Sequence, residues 1–119
     1  MGTMEYVILF LGVLYLIWRF ILAKGIKQII ISELKEELKN KNNQFIDVRT
    51  PGEFKQSSIK SFKNIPLNEL PNKVEALDKN RPVFVICQSG MRSSNAARLL
   101  KKKGFKEIIN VRGGMNAWR

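Results

Sequence analysis

The chain has 119 residues, 45% of them apolar, with 21 Lys and Arg against 10 Asp and Glu, a net charge of +11. Its length favours one domain. With one Cys and no His, it can form neither a Ser-His-Asp or Cys-His catalytic arrangement nor a His metal site, and an internal disulfide, a CxxC redox pair and a Cys-rich zinc site are excluded too.

Residues 1–26 hold 19 apolar residues and three charges, Glu5, Arg19 and Lys24. Tyr6 to Trp18 is 13 residues without a charge, and admitting Arg19 extends the run to Ala23, 18 residues in all. As a helix it would be about 27 Å long, near the thickness of a bilayer core. Arg19 stands one turn from the end, where its guanidinium can snorkel to the headgroups. Tyr6 and Trp18 suit the interfaces. A cleaved signal peptide would want a basic start and a small-x-small site, and neither is present. The expectation is an N-terminal transmembrane helix over 1–26, ahead of one domain over 27–119. Arg19, Lys24 and Lys27 follow the span and Glu5 precedes it. The positive-inside rule therefore gives a single-pass membrane protein with its C-terminal domain in the cytoplasm, where a lone Cys stays reduced.

The domain reads as alternating strands and helices. Gln28-Ile29-Ile30-Ile31 is a short buried strand, and Ser32 caps a helix over Glu33 to Lys39 with Leu34 and Leu38 on one face. Asn40 to Asn43 is a loop, and Phe45-Ile46-Asp47-Val48 a second strand. Thr50-Pro51-Gly52-Glu53 has the capping-box pattern with Pro at the first helical position. Phe62 to Ile65 is extended, and Asn68 to Leu77 is helical with a break at Pro71. Pro82-Val83-Phe84-Val85-Ile86 is uniformly apolar, as in a parallel strand covered on both faces. After a loop from Cys87 to Met91, a helix runs from about Arg92 to Lys103, with Ala96, Ala97, Leu99 and Leu100 inward and Gly104 beyond its end. Glu107 to Val111 is the last strand, and Gly113-Gly114 leads into a final turn ending at Trp118. The pattern predicts a small α/β domain with a mostly parallel sheet flanked by helices.

Ligands of such sheets gather at the carboxyl ends of strands. Cys87 stands at one, just before a helix. In Cys87-Gln88-Ser89-Gly90-Met91-Arg92, successive backbone N–H groups can form an anion nest. The helix N-terminus adds partial positive charge, Arg92 a full one, and Gly90 permits a tight turn. Each feature favours thiolate over thiol, in place of the missing imidazole. A buried structural thiol is the alternative.

Four segments resemble motifs of one family. Asp47-Val48-Arg49-Thr50-Pro51-Gly52-Glu53-Phe54 resembles a DVR-x-x-x-E-[FY] motif, and Asn64-Ile65-Pro66-Leu67 an N-I-P-L segment. Cys87 to Ser93 resembles a C-x-x-G-x-R-S loop, and Gly113 to Trp118 a closing G-G-x-x-x-W motif. In this order, over about residues 28–119, they resemble a single-domain rhodanese, the thiosulfate sulfurtransferase-like family. The resemblance implies that Cys87 is the catalytic nucleophile and carries a persulfide. It implies that Gln88, Ser89, Gly90, Met91 and Arg92 bind an anionic sulfur donor such as thiosulfate, and that Asp47 and Arg49 brace the site. The acceptor would be an external thiol, on a small molecule or a protein, or cyanide; no cofactor or metal is implied. Four residues separate Cys87 from Arg92; related phosphatases have one more, so the shorter loop resembles the sulfur-transferring branch. Ser57-Ser58-Ile59 stands where many relatives have Gly-His-Ile, a departure that bears on local packing. The alternative function is a non-enzymatic membrane docking module, or a persulfide carrier for a partner desulfurase.

Lys101-Lys102-Lys103 with Lys106 is the densest basic cluster. It reads as a solvated helix end, a contact for anionic lipid, or a field drawing in anionic donors. No nucleic-acid recognition motif is present, and nucleic acid is not an expected partner.

Overall fold

The computed structural model describes residues 2–119, without the side chains of 19–24. Helix α1 spans Thr3–Lys24, and its described side chains from Met4 to Trp18 are exposed. Among the described residues, no helix is long and apolar enough to cross a membrane. The side chains of 19–24, including the snorkelling Arg19 and the flanking Lys24, lie outside the described residues.

The rest alternates strands β1 (Ile26–Ile29), β2 (Gln44–Asp47), β3 (Lys63–Asn64), β4 (Val83–Ile86) and β5 (Ile108–Val111) with helices α2 (Ile31–Glu37), α3 (Pro51–Gln56), α4 (Leu70–Lys73) and α5 (Met91–Lys102). Single 3-10 turns cover Val74–Ala76 and Gly114–Ala117. The strands form one sheet in the order β1-β5-β4-β2-β3, parallel at every pairing. This is the α/β parallel sheet with flanking helices that the alternating pattern predicts.

β4 lies at the centre and is buried at all its positions. Val83 and Val85 face a cluster that includes Leu70, Val74, Ala96, Ala97, Leu100 and Phe105. Phe84 and Ile86 face the opposite cluster, with Leu34, Phe62, Ile109 and Val111. That two-sided burial is why the strand has no polar alternation. Along α5, Ala96, Ala97 and Leu100 are buried as expected, while Leu99 is only half-buried.

Several boundaries differ from the sequence expectation. The first strand runs over 26–29 rather than 28–31, because Ile26 to Ile29 pair in register with Ile108 to Val111. The Glu33 carboxylate accepts the Ile30 N–H at 3.3 Å, so α2 opens on Ile30, and Ser32 lies inside the helix instead of capping it. Phe62 to Ile65 contributes only the two residues of β3. The predicted helix over Asn68 to Leu77 is two short pieces, α4 and a 3-10 turn, with Pro71 in the first turn of α4. Pro is tolerated there because the first N–H groups of a helix have no intrahelical partner. Helix α5 starts at Met91, one residue early.

With every strand parallel, Asp47, Cys87 and Arg112-Gly113 emerge at one edge of the sheet. That edge carries the candidate site.

Candidate active site

Cys87 directly follows β4 and is 1% exposed. Its Sγ accepts the Gly90 N–H at 2.9 Å and lies 3.3 Å from the Ser93 hydroxyl. Gly90 sits at φ 113°, in the left-handed region that glycine adopts at little cost, and this lets the loop turn its N–H groups towards the sulfur. Burial pushes the Cys87 thiol up. The Ser93 hydroxyl and the backbone N–H groups of Ser93, Gly90 and Ser89 pull it down, and the net displacement is downward. The sulfur is therefore held towards thiolate without imidazole.

The loop is tied to the scaffold at both ends. At its start, Met115 N–H donates to the Cys87 carbonyl at 2.8 Å and Asn116 N–H to the Gln88 carbonyl at 3.0 Å. Gly114 makes this approach possible. A Cβ there would stand 2.2 Å from the Cys87 carbonyl oxygen, and the residue has φ 56°. The Gln88 side chain is fixed twice, donating to Asn116 Oδ1 at 2.6 Å and accepting from Arg49 Nη1 at 3.2 Å.

Arg49 is itself buried, 3% exposed, against a fully buried Asp47. Its Nη2 reaches Asp47 Oδ2 at 2.9 Å and its Nε reaches Oδ1 at 3.0 Å. Nη2 also donates to the Ser57 carbonyl at 2.5 Å. Removing either partner would leave a buried charge unpaired, a loss of about 3–5 kcal/mol. The Asp47–Arg49 pair thus runs from the end of β2 to Gln88 and occupies a bracing position. Ser57, in the segment that departs from Gly-His-Ile, contributes through its backbone oxygen, which does not depend on side-chain identity.

At the other end of the loop, Arg92 forks onto Glu53, Nη1–Oε1 2.7 Å and Nη2–Oε2 2.9 Å. The Arg92 hydrogen bond, with help from Thr50, holds the Glu53 carboxyl down at about 2. Glu53 also closes the capping box of α3, where Thr50 N–H donates to its Oε1 at 3.0 Å. Arg92 is raised in turn by the same hydrogen bond. Three of its five N–H donors remain outside this fork.

The loop residues predicted to bind the donor therefore divide. Ser89 and Gly90 present N–H groups to the sulfur. Gln88 and Arg92 have their side chains engaged with the scaffold, and Met91 is 78% exposed. Sequence reasoning missed Glu53, Ser93 and Asn116. All three stand inside the motif segments, but nothing local says that Glu53 meets a residue 39 positions away. Two clefts flank the loop. One, of about 370 Å3, has Arg49, Glu53, Ser57 and Gln88 in its wall; the other, of about 310 Å3, has Thr50, Pro66 and Arg92.

The chain is similar to known proteins. The protein YqhL of Bacillus subtilis is 33% identical over 119 residues, 99% of this chain and 94% of its own. The thiosulfate sulfurtransferase GlpE of Shewanella oneidensis is 29% identical over 92 residues, 77% of this chain and 91% of its own. The crystal structure of a rhodanese-like domain protein from Staphylococcus aureus superposes with a TM-score of 0.73 at 35% identity, covering 78% of this chain and 91% of that one. Residues 31–119 match the rhodanese-like domain as a family, and with its relatives named as sulfurtransferases the chain belongs to that family.

Proposed function

We propose that the domain is a sulfurtransferase that moves sulfane sulfur through a persulfide on Cys87. The observation that carries this reading is the Cys87 sulfur facing the Gly90 N–H at 2.9 Å with its pKa lowered. In the first half-reaction the Cys87 thiolate attacks the outer sulfur of thiosulfate. A new S–S bond forms, the S–S bond of thiosulfate breaks, and its electron pair leaves with sulfite. In the second, an acceptor thiolate or cyanide attacks the terminal sulfur, and the pair returns to Cys87 Sγ. This is covalent, ping-pong chemistry. The N–H groups of Ser89 and Gly90 stabilise negative charge on the transferred sulfur. The free N–H donors of Arg92 hold the anionic donor while Glu53 fixes the guanidinium plane. Asp47 and Arg49 act by positioning Gln88. The test is thiocyanate formation from thiosulfate and cyanide by the full-length protein. Wild type forms it and Cys87→Ser does not; activity retained in Cys87→Ser overturns the reading.

We further propose that the 18-residue run Tyr6 to Ala23, which continues past Trp18, the last described side chain of α1, anchors the domain as a single-pass span with the domain on the cytoplasmic side. Support comes from the uncharged run Tyr6 to Trp18, the exposed apolar side chains of Met4 to Trp18, and the basic residues Arg19, Lys24 and Lys27 after the run. Such a protein stays with membranes in high salt and at alkaline pH and leaves only in detergent. Extraction by salt or alkali contradicts the anchor.

A further inference from the structure

Five lysines gather at the edge of the sheet opposite Cys87. Every strand is parallel, so β1 begins and α5 ends on that far edge. Helix α5 opens beside the Cys87 loop, and its 12 residues carry the chain about 18 Å away from it. Lys101, Lys102 and Lys103 close the helix, and Lys106 follows. Lys106 N–H donates to the Lys79 carbonyl at 3.1 Å, and the Lys79 stem lies beside Gly104. Two distant segments of chain thus build one basic surface. Lys79, Lys102, Lys103 and Lys106 are exposed and Lys101 is half-buried. Among the described residues none of the five has an ion pair. The acids beside them are engaged elsewhere: Glu107 pairs with Lys27 at 3.2 Å, and Asp78 Oδ1 accepts the Asn80 N–H at 2.9 Å.

Two simpler purposes fall short. Cations at the end of α5 suit its dipole, but Lys79 and Lys106 stand outside the helix and add like charge to the same surface. Steering of anionic donors fails on distance, since the length of α5 is about twice the Debye length at physiological ionic strength and the Cys87 loop is screened from its far end. The position of the surface in the chain is informative instead. Gly25 directly precedes β1, and the Lys101 side chain lies across it, where a Cβ would collide with Nζ. Gly25 is also two residues beyond Ala23, where the run from Tyr6 ends. A bilayer that holds this run has its surface at the five lysines.

We propose that the surface formed by Lys79, Lys101, Lys102, Lys103 and Lys106 docks the domain on anionic phospholipid headgroups of the membrane that holds the anchor. The proposal rests on the anchor reading. Each well-placed lysine strengthens such a contact about fivefold. Docked in this way, the domain turns its Cys87 edge away from the lipid, and the clefts at the active loop open to the aqueous phase. Sulfur donor and acceptor then arrive from water rather than through the bilayer.

The test uses full-length protein reconstituted into vesicles of phosphatidylcholine alone, or of phosphatidylcholine and phosphatidylglycerol in equal parts. A membrane-impermeant acetylating reagent reads only chains whose domain faces out, and peptide mass gives the rate at each lysine. With phosphatidylglycerol, acetylation of the five lysines slows about fivefold or more, while exposed Lys55 in α3 is unchanged. High salt abolishes the difference. Equal rates on the two vesicles, or equal slowing at Lys55, overturns the docking surface. Inorganic phosphate added to the neutral vesicles gives no protection; protection by phosphate alone overturns the assignment to lipid. In Lys102→Gln/Lys103→Gln/Lys106→Gln, whose three changes are all exposed and leave the fold intact, protection at Lys79 falls by half or more, and full protection there overturns docking through a shared surface. An alkaline wash of the same vesicles reports on the anchor separately. A chain washed off both vesicles overturns the span, and protection by phosphatidylglycerol before the wash still upholds the lysine surface.

Discussion

Arg92 and Glu53 form a two-pronged ion pair, 2.7 and 2.9 Å, that joins the end of the active loop to the first turn of α3. An arginine expected simply to receive an anionic substrate is thus oriented by a carboxylate before any substrate arrives. The pair spends part of the guanidinium's charge to fix its plane.

The pH dependence of this pair has a definite sign. The Glu53 carboxyl titrates at about 2 in the folded chain against 4.5 for an ordinary glutamate. A depressed carboxyl stabilises the fold fully above its unfolded value and loses that contribution as pH falls towards the folded one. Both side chains are about one-third exposed, so with solvent screening Glu53→Gln costs about 1 kcal/mol at neutral pH. In urea titrations the gap between wild type and Glu53→Gln closes as pH falls from 4.5 towards about 2. A gap that stays constant over that range contradicts the pairing.

Ser93 offers a separate handle on the nucleophile. Its one hydroxyl hydrogen can go to the Gly90 carbonyl at 3.1 Å or to Cys87 Sγ at 3.3 Å, and a thiolate draws it to the sulfur, so its loss removes a donor to the thiolate. Ser93→Ala raises the pH midpoint of Cys87 alkylation by iodoacetamide and slows the reaction at neutral pH. An unmoved midpoint would mean that the backbone N–H groups alone set the thiolate.

Gly114 tests the close packing of the closing motif on the loop. An Ala Cβ would meet the Cys87 carbonyl oxygen at 2.2 Å and the Gln88 carbonyl oxygen at 2.9 Å, all backbone and hard to move. Gly114→Ala destabilises the fold by about 2–4 kcal/mol in urea unfolding. Gly52, where nothing lies within 4 Å of an added Cβ, is the control, and Gly52→Ala stays within about 0.5 kcal/mol of wild type. Similar losses at both positions would contradict the close approach.

Much of the fold is legible in local pattern. The apolar run 82–86, the Thr50 cap with Pro51, and Gly104 beyond α5 each announce their element by chemistry that acts within a few residues. The first strand slipped by two positions because its limits are set by pairing with β5, about 80 residues away, and Ile30 and Ile31 look equally strand-like. The site divides in the same way. Cys87 and its loop could be read from one segment. Glu53 was visible as a cap and as a motif position but not as the partner of Arg92, since that role depends on α3 and α5 meeting in space. Gln88 reads as part of an anion cradle, whereas its side chain is spent on Arg49 and Asn116, contacts that only the assembled sheet edge brings together.

In the sulfur-transfer reading Cys87 carries the sulfur. Intact-protein mass spectrometry of the full-length chain after incubation with thiosulfate measures this directly. The expected result is a gain of one sulfur atom, mapped to Cys87, removed by an acceptor thiol and missing in Cys87→Ser. A wild-type chain whose mass does not change with thiosulfate or any other sulfane donor, while its fold is intact, would contradict it.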